Sequence, residues 1–248
     1  IRRNVATSRQ VVSIMRLVII SDTHNLHDEL NLPSGDVLIH CGDYSYSGQD
    51  NEVISFLTWM QEQTKKYRLV IGGHGNHELG PYEDREHFNE LKTVFAPDVI
   101  WPHMRVFTDP VTSLNFFFSP YVTTINGRWA FEASSSEYQE IVKRIPDYVD
   151  ILISHGPPFN ILDTFVRHSI DWDSQQNDYA HTSREFKIGS KVLAERIKEI
   201  EPKLVCFGHC HENGGQTVEI DGTIYVNGAV LNENYEIANE PVIVNLEL

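Results

Sequence analysis

The chain has 248 residues, long enough to bury a substantial core as one large domain or two small ones. Its 41% hydrophobic and 22% charged content is that of a globular protein, and no apolar run approaches the ~18 residues that a membrane-spanning helix needs. Thirty-five Asp and Glu against 20 Lys and Arg give a formal net charge of −15. Such a surface repels long DNA or RNA, whose binding rests on cationic contacts to phosphate. A small phosphorylated substrate stays compatible, because bound divalent cations reverse the local field.

Residues 1–14 carry basic side chains but not the apolar stretch of a secretory signal, and read as an extension or truncated leader. Runs of Leu, Val and Ile then predict strands at 17–21, 37–40, 68–71, 114–119, 151–154, 204–207, 223–227 and 242–246. Between them, Val53, Phe56, Leu57 and Met60 repeat at helical spacing, as do Tyr138, Ile141, Val142 and Ile145. Leu193, Ile197 and Ile200 form a third stripe ended by Pro202, and Phe88, Leu91 and Phe95 a fourth. Asp221-Gly222 reads as a hairpin turn between 217–220 and 223–227. This pattern predicts an α/β domain on mixed sheets, with loops at one end of the strands carrying the chemistry. Residues 159–187 are polar and aperiodic, and predict a lid or a substrate-facing loop. Phe116-Phe117-Phe118 reads as a core strand.

Five clusters recur at the strand ends: Asp22-Thr23-His24, Gly42-Asp43, Gly75-Asn76-His77-Glu78, His155-Gly156 and Gly208-His209-Cys210-His211. Each alone has an ordinary explanation, Gly-Asp as a turn and Asn-His as a helix cap. Together they form a mixed oxygen and nitrogen donor set suited to Mn²⁺, Fe or Zn²⁺ and poor for a thiolate site. Asp22 and His24, two apart at a strand end, would grip one ion from the same side. The two oxygens of Asp43 can bridge two cations. Cys210, between His209 and His211, would point away as a non-ligand. Cys41, Cys206 and Cys210 are an odd count with no disulfide framework, which suggests buried thiols in a reducing, cytoplasmic compartment.

In that order the clusters resemble the motifs D-x-H, G-D, G-N-H-[DE], H and G-H-x-H of the calcineurin-like metallophosphoesterase superfamily, from about Met15 to the C-terminus. The segment from Ser34 to Asp43 and His155-Gly156-Pro157-Pro158 look most like its small brain-type, metallophosphoesterase-domain-containing subgroup. The resemblance implies one domain over 15–248, folded as a four-layer αββα sandwich of two mixed sheets with a dinuclear metal site at the strand ends. It implies Asp22, His24 and His211 on one metal, Asn76, His155 and His209 on the other, and Asp43 between them. His77 would be the catalytic histidine near the scissile phosphate. The expected cofactors are two divalent ions, Mn²⁺ first, with Fe, Zn²⁺ and Mg²⁺ as alternatives. The expected reaction is hydrolysis of small phosphodiesters such as cyclic nucleotides, with a metal-bridging hydroxide attacking phosphorus. A phosphomonoesterase or protein phosphatase is the alternative, ahead of a nuclease or a non-catalytic scaffold.

The turn before Asn76 and the expanded segment 159–187 depart from the family pattern. The turn Ile71-Gly72-Gly73-His74-Gly75 is two residues longer than usual, so His74 either approaches the substrate or sits in a solvated loop. Tyr44, beside Asp43, either lines the pocket or packs beneath it. In the long segment, His168 and His181 are candidate substrate contacts. Asp171, Asp173 and Asp178 there read as an acidic solvated loop more readily than as a further cation site.

Overall fold

A computed structural model describes residues 13–173 and 178–248. The strands are β1 Ile14–Ile20, β2 Val37–His40, β3 Leu69–Ile71, β4 Val106–Thr108, β5 Asn115–Ser119, β6 Val122–Thr123 and β7 Glu132–Ala133. They continue as β8 Ile151–Ser154, β9 Thr164–Asp173, β10 Asp178–Lys187, β11 Leu204–Phe207, β12 Thr217–Ile220, β13 Thr223–Asn227 and β14 Val242–Glu247. The helices are α1 Asp50–Gln63, α2 Leu79–Glu83, α3 Arg85–Phe95, α4 Ser135–Val142 and α5 Lys191–Ile200. Strand β1 starts at Ile14, paired with Glu247, so the extension read over 1–14 overlaps the fold by one residue; residues 1–12 lie outside the described part.

Two mixed sheets face each other, in the orders β14-β1-β2-β3 and β12-β13-β11-β8-β5-β4. Their centres are parallel, and antiparallel strands β14, β12 and β4 close the edges. Side chains alternate across each strand, so each sheet fills two layers of core. Leu17, Ile19, Val37 and Ile39 meet Phe116, Phe118, Ile151 and Cys206 between the sheets. The intervening residues Val18, Ile20 and Leu38 pack on Val53, Phe56 and Met60 of α1. Phe117, Leu152, Val205 and Phe207 pack on Tyr138 and Val142 of α4 and on Leu193 and Ile197 of α5. The result is a four-layer αββα sandwich. Burial on both faces explains why the central strands read as unbroken apolar runs, each large side chain contributing ~1.5–3 kcal/mol.

Local signals set the helix ends. Glu52 accepts from the Gln49 N–H (2.9 Å) at the start of α1 and also from the Ser47 and Tyr46 amides, which fixes the loop after Asp43. The Ser134 and Ser190 hydroxyls accept from Glu137 and Leu193 to open α4 and α5. The longer turn after β3 is glycine-rich because aromatic rings lie on its backbone. A Cβ at Gly73 would fall 1.9 Å from the Phe118 ring.

The segment read as an aperiodic loop is instead largely a two-stranded hairpin. Strands β9 and β10 pair antiparallel from Thr164↔Lys187 to Asp173↔Asp178. Phe165 and Phe186 at its base are 38% and 43% exposed, so backbone pairing rather than a buried face holds it, and that leaves no apolar alternation to read. The side chains of His168, His181, Asp171, Asp173 and Asp178 lie outside the described residues. Among the described residues, no helix is long and apolar enough to cross a membrane.

The free edges of the two sheets are tied by charge. Arg68, just before β3, donates two hydrogen bonds (2.8 and 2.9 Å) to Asp109, just after β4. Burial works to raise the Asp109 acid, but Arg68, the Thr112 hydroxyl and the Val111 amide outweigh it and hold the pKa at about 2. A carboxyl depressed on folding stabilises above its unfolded pKa of ~4 and loses that stabilisation as pH falls through the folded value. The urea midpoint of the wild type should therefore fall between pH ~4 and ~2 more steeply than that of Asp109→Asn.

Candidate metal centre

The five clusters lie beyond the C-terminal ends of the parallel strands β1, β2, β3, β8 and β11, where an open α/β sheet presents its loops to one crevice. Asp22 and His24 converge, but not by strand alternation. Both lie past the end of β1 at φ of 55° and 37°, and Asp43 past β2 at 55°. These left-handed conformations are costly for side-chain-bearing residues and persist because the surroundings fix them. The two loops are zipped together by Asp22 N–H to Gly42 O (2.9 Å), His24 N–H to Asp43 O (3.2 Å) and Asn25 N–H to Tyr44 O (2.9 Å). Both oxygens of Asp22 accept from the His209 amide, at 3.0 and 2.9 Å. Only glycine fits at 208, since a Cβ there would lie 2.0 Å from the Asp22 carboxylate.

Among the described residues, three groups bring their donor atoms within 4.8 Å of one another: Asp22, His24 and His211; His24, Asp43 and His77; Asp43, His155 and His209. The imidazole tautomers follow from their partners. A carbonyl oxygen only accepts, so Nδ1 carries the proton in His24, His77, His155 and His211, which bond Ser45 O, Tyr46 O, Cys41 O and Asn232 O. Each Nε2 is left with a lone pair. His24 Nε2 is buried with no hydrogen-bond partner. His155 Nε2 faces Asn76 Oδ1 at 3.0 Å and Asp43 Oδ2 at 3.2 Å, and His211 Nε2 faces Asp22 Oδ1 at 3.4 Å. Lone pairs that face oxygen acceptors at such distances need a cation between them. A carbonyl-anchored imidazole is also how proteins orient a metal-binding histidine, so the donor set fits divalent metal.

Without metal, protons take that place. Burial pulls His155 down, but the Asp43 carboxylate beside it prevails and holds its pKa at about 9. Against the same burial, Asp22 holds His211 at about 9. His24 and His209 are drawn down to about 4, chiefly by burial. Burial works to raise Asp22 and Asp43, yet the surrounding imidazoles keep both well below the usual carboxylate range.

Glu78, which the motif contains without a role, is fully buried and staples two loops. It accepts from the Asp43, Ser45 and Gly75 amides and from the Ser45 hydroxyl. Its burial and the neighbouring Asp43 push its pKa up to about 8, and those donors pull the other way. Buried His40 accepts from the Gly42 N–H at Nδ1, so its Nε2–H donates to Thr23 and braces the first two clusters from behind. Neither was visible as a site residue in sequence, because each acts on backbone that other elements bring close.

Both open expectations beside the site resolve into core. Tyr44 is fully buried, stacked on Phe56 at 4.2 Å, and does not line the pocket over the candidate metal-binding groups. His74 is neither solvated nor on the substrate side. It is 3% exposed, 3.3 Å from the Tyr44 hydroxyl, and packed against Phe88 and Phe131. The pocket is walled instead by Trp129, Ile125, Phe165 and Tyr235, which sequence reasoning passed over. Trp129 lies 4.3 Å from the His77 ring, and Tyr235 4.8 Å from that of His24. Cys210 faces away, as expected, and donates its thiol to the Thr164 carbonyl. All three cysteines are buried and unpaired.

Comparison with known proteins agrees with this geometry. The family model described as calcineurin-like phosphoesterase matches residues 15–213. Human metallophosphoesterase domain-containing protein 1 is 30% identical, the alignment spanning 93% of this chain and 71% of that protein. A UPF0046 protein of Caenorhabditis elegans is 29% identical over 92% of this chain and 74% of its own length. Of solved structures, TT1561 of Thermus thermophilus matches with a TM-score of 0.58 at 11% identity, covering 87% of this chain and 89% of that one. Phosphopantetheinyl hydrolase from Mycobacterium tuberculosis matches at 0.52 and 15% identity, covering 88% and 90%. At those identities the structural likeness is one of fold alone. The chain therefore belongs to the calcineurin-like phosphoesterase family, whose chemistry is metal-dependent hydrolysis of phosphoesters.

Proposed function

We propose that the chain is a dinuclear-metal phosphodiesterase acting on small phosphodiesters such as cyclic nucleotides. The observation that carries the substrate class is the shape and charge of the cleft over the metal-binding groups. One lobe, about 250 Å³, lies over Asp43, Asn76 and His77 and is bounded by Trp129 and Tyr235. A second lobe, about 530 Å³, runs between Thr123, Thr124 and the base of the β9–β10 hairpin. The lobes share Ile125, Phe165 and His209, so the cleft extends to both sides of the place a phosphorus would occupy. A diester has two organic arms and a monoester one. Among the described residues the first lobe carries Glu212 and Glu233 and no Lys or Arg, a poor setting for a monoester dianion and a better one for the single charge of a diester, while Arg167 and Lys187 line the second lobe.

In this reading Asp22, His24 and His211 would hold one ion, Asn76, His155 and His209 the other, and Asp43 would serve both. Mn²⁺ is the first choice, with Fe, Zn²⁺ and Mg²⁺ as alternatives for the mixed oxygen and nitrogen set. Bound divalent cations would supply charge neutralisation on the phosphate and a lowered pKa for water. The chain's own residues do the rest. His77 is fixed through Nδ1–H to Tyr46 O (2.8 Å) and turns Nε2 toward Asp43 (4.0 Å), where Nε2, once it has taken up a proton, can pass it to the leaving oxygen. The aromatic walls exclude water and orient the organic arms. A cytoplasmic setting belongs to the same proposal, supported by the three unpaired thiols.

Three measurements test this. His24→Ala or His209→Ala should lower the metal content of purified protein by elemental analysis, as each removes a donor. His77→Ala should keep both metals and lose ~10²–10⁴-fold in kcat. Since His77 also groups with His24 and Asp43, loss of a metal from that variant would make it a ligand instead. Finally, bis(p-nitrophenyl) phosphate should turn over faster than mono(p-nitrophenyl) phosphate, and the reverse order would reassign the enzyme as a monoesterase.

A further inference from the structure

A second polar pocket, about 250 Å³, lies away from the metal-binding groups, between α3 and the segment 101–105. Arg85, Lys92 and Arg105 converge on it, with Asn89, His103 and the Trp101 ring completing the wall. In a chain of net charge −15, three cations gathered in one pocket stand out. Among the described residues none of the three forms an ion pair with a carboxylate. Only Lys92 has a side-chain hydrogen bond, to the Pro97 carbonyl at 3.3 Å. Two ring nitrogens of the wall, Trp101 Nε1 and His103 Nδ1, are buried without a hydrogen-bond partner. An orphaned buried polar atom is uncommon and calls for a ligand or a reason. Burial first, and then Arg85, Arg144 and Arg105, draw the His103 pKa down to about 4, while Asp98 is the carboxylate that acts on Lys92. The neutral imidazole and the indole are then N–H donors set among cations.

We propose that this pocket binds a phosphate group, carried as inorganic phosphate or on a small phosphorylated molecule, at a site separate from the metal centre. A tetrahedral anion of up to two charges accepts from several directions at once, which matches two guanidinium forks, an ammonium and ring N–H donors. The volume leaves room for a small attached group. His74 lines the inner wall, bonds Tyr44, and is followed by Gly75 and Asn76, so an occupant lies directly behind a loop of the metal centre. The assignment does not depend on the diesterase reading.

Equilibrium dialysis of the metal-loaded protein against radiolabelled inorganic phosphate tests it. The wild type should bind one phosphate more per chain than Arg85→Gln/Arg105→Gln, with potassium chloride matching ionic strength. Because the comparison is a difference, phosphate held at the metal centre cancels. Equal stoichiometry in the two proteins overturns the proposal. Both arginines are exposed and their side chains make no hydrogen bond among the described residues, so the double variant should fold. In phosphate-free, low-salt buffer it should melt no lower than the wild type, since like-charge repulsion is relieved. Methylphosphonate, which has no ester bond to hydrolyse, separates the two sources. Displacement of the extra phosphate by it indicates room for a carried group, and no displacement assigns the site to the inorganic ion.

Discussion

Two carboxylates, Asp22 and Asp43, are buried at the ends of two sheets, and neither has a permanent positive charge beside it. Among the described residues, no Lys or Arg lines the pocket directly above them. Burying such groups unpaired costs many kcal/mol, so positive charge must reach them from imidazolium or from metal. The rest of the site answers that requirement. Backbone carbonyls take the Nδ1 protons of four histidines, and the Nε2 lone pairs converge on the carboxylates. Asp43 and Asp22 raise the pKa values of His155 and His211 to about 9 against burial, and these are the same groups that the proposed reaction needs as ligands.

That arrangement needs a rigid frame, and the sandwich supplies it. Parallel strands from both sheets end on one side, so donors separated by nearly the whole chain arrive at one place. Asp22 bonds the amide of His209, 187 residues away. The loops are over-determined: left-handed backbone at Asp22, His24 and Asp43 is held by rungs between the first two clusters, by Glu78 below and by His40 behind. Strain of this kind persists only where many contacts oppose its release, and it presets the donors before any metal arrives. Trp129, Tyr235 and Phe165 at the hairpin base wall the pocket over Asp43 and His77 from segments outside the five clusters.

Much of this was legible in the chain. The central strands 37–40, 151–154, 204–207 and 223–227 could be read to the residue, because burial on both faces writes an uninterrupted apolar run. The D-x-H, G-D, G-N-H-E, H and G-H-x-H clusters identified the family and the candidate donors, because ligand chemistry restricts each position to a few residue types. The β9–β10 hairpin was not legible, since a ribbon held by backbone bonds, with Phe165 and Phe186 exposed at its base, leaves no apolar alternation to read. The burial of His74 and Tyr44 was not legible either, since it depends on Phe118, Phe131 and Trp101 coming from distant segments to cover the turn.

The sequence by itself therefore determined the fold class, the family and the side chains available to hold metal. These follow from local apolar patterning and from residue identity, both of which are properties of the chain as written. Only the tertiary structure decided which imidazole nitrogen faces the carboxylates, that Asp22 and His24 converge through left-handed backbone, and that Glu78 is a staple. It also decided that His74 belongs to the core, and it gathered Arg85, Lys92 and Arg105 around one pocket. Tautomer, backbone handedness and the meeting of like charges are set by partners far away along the chain, and no local pattern of residues records them.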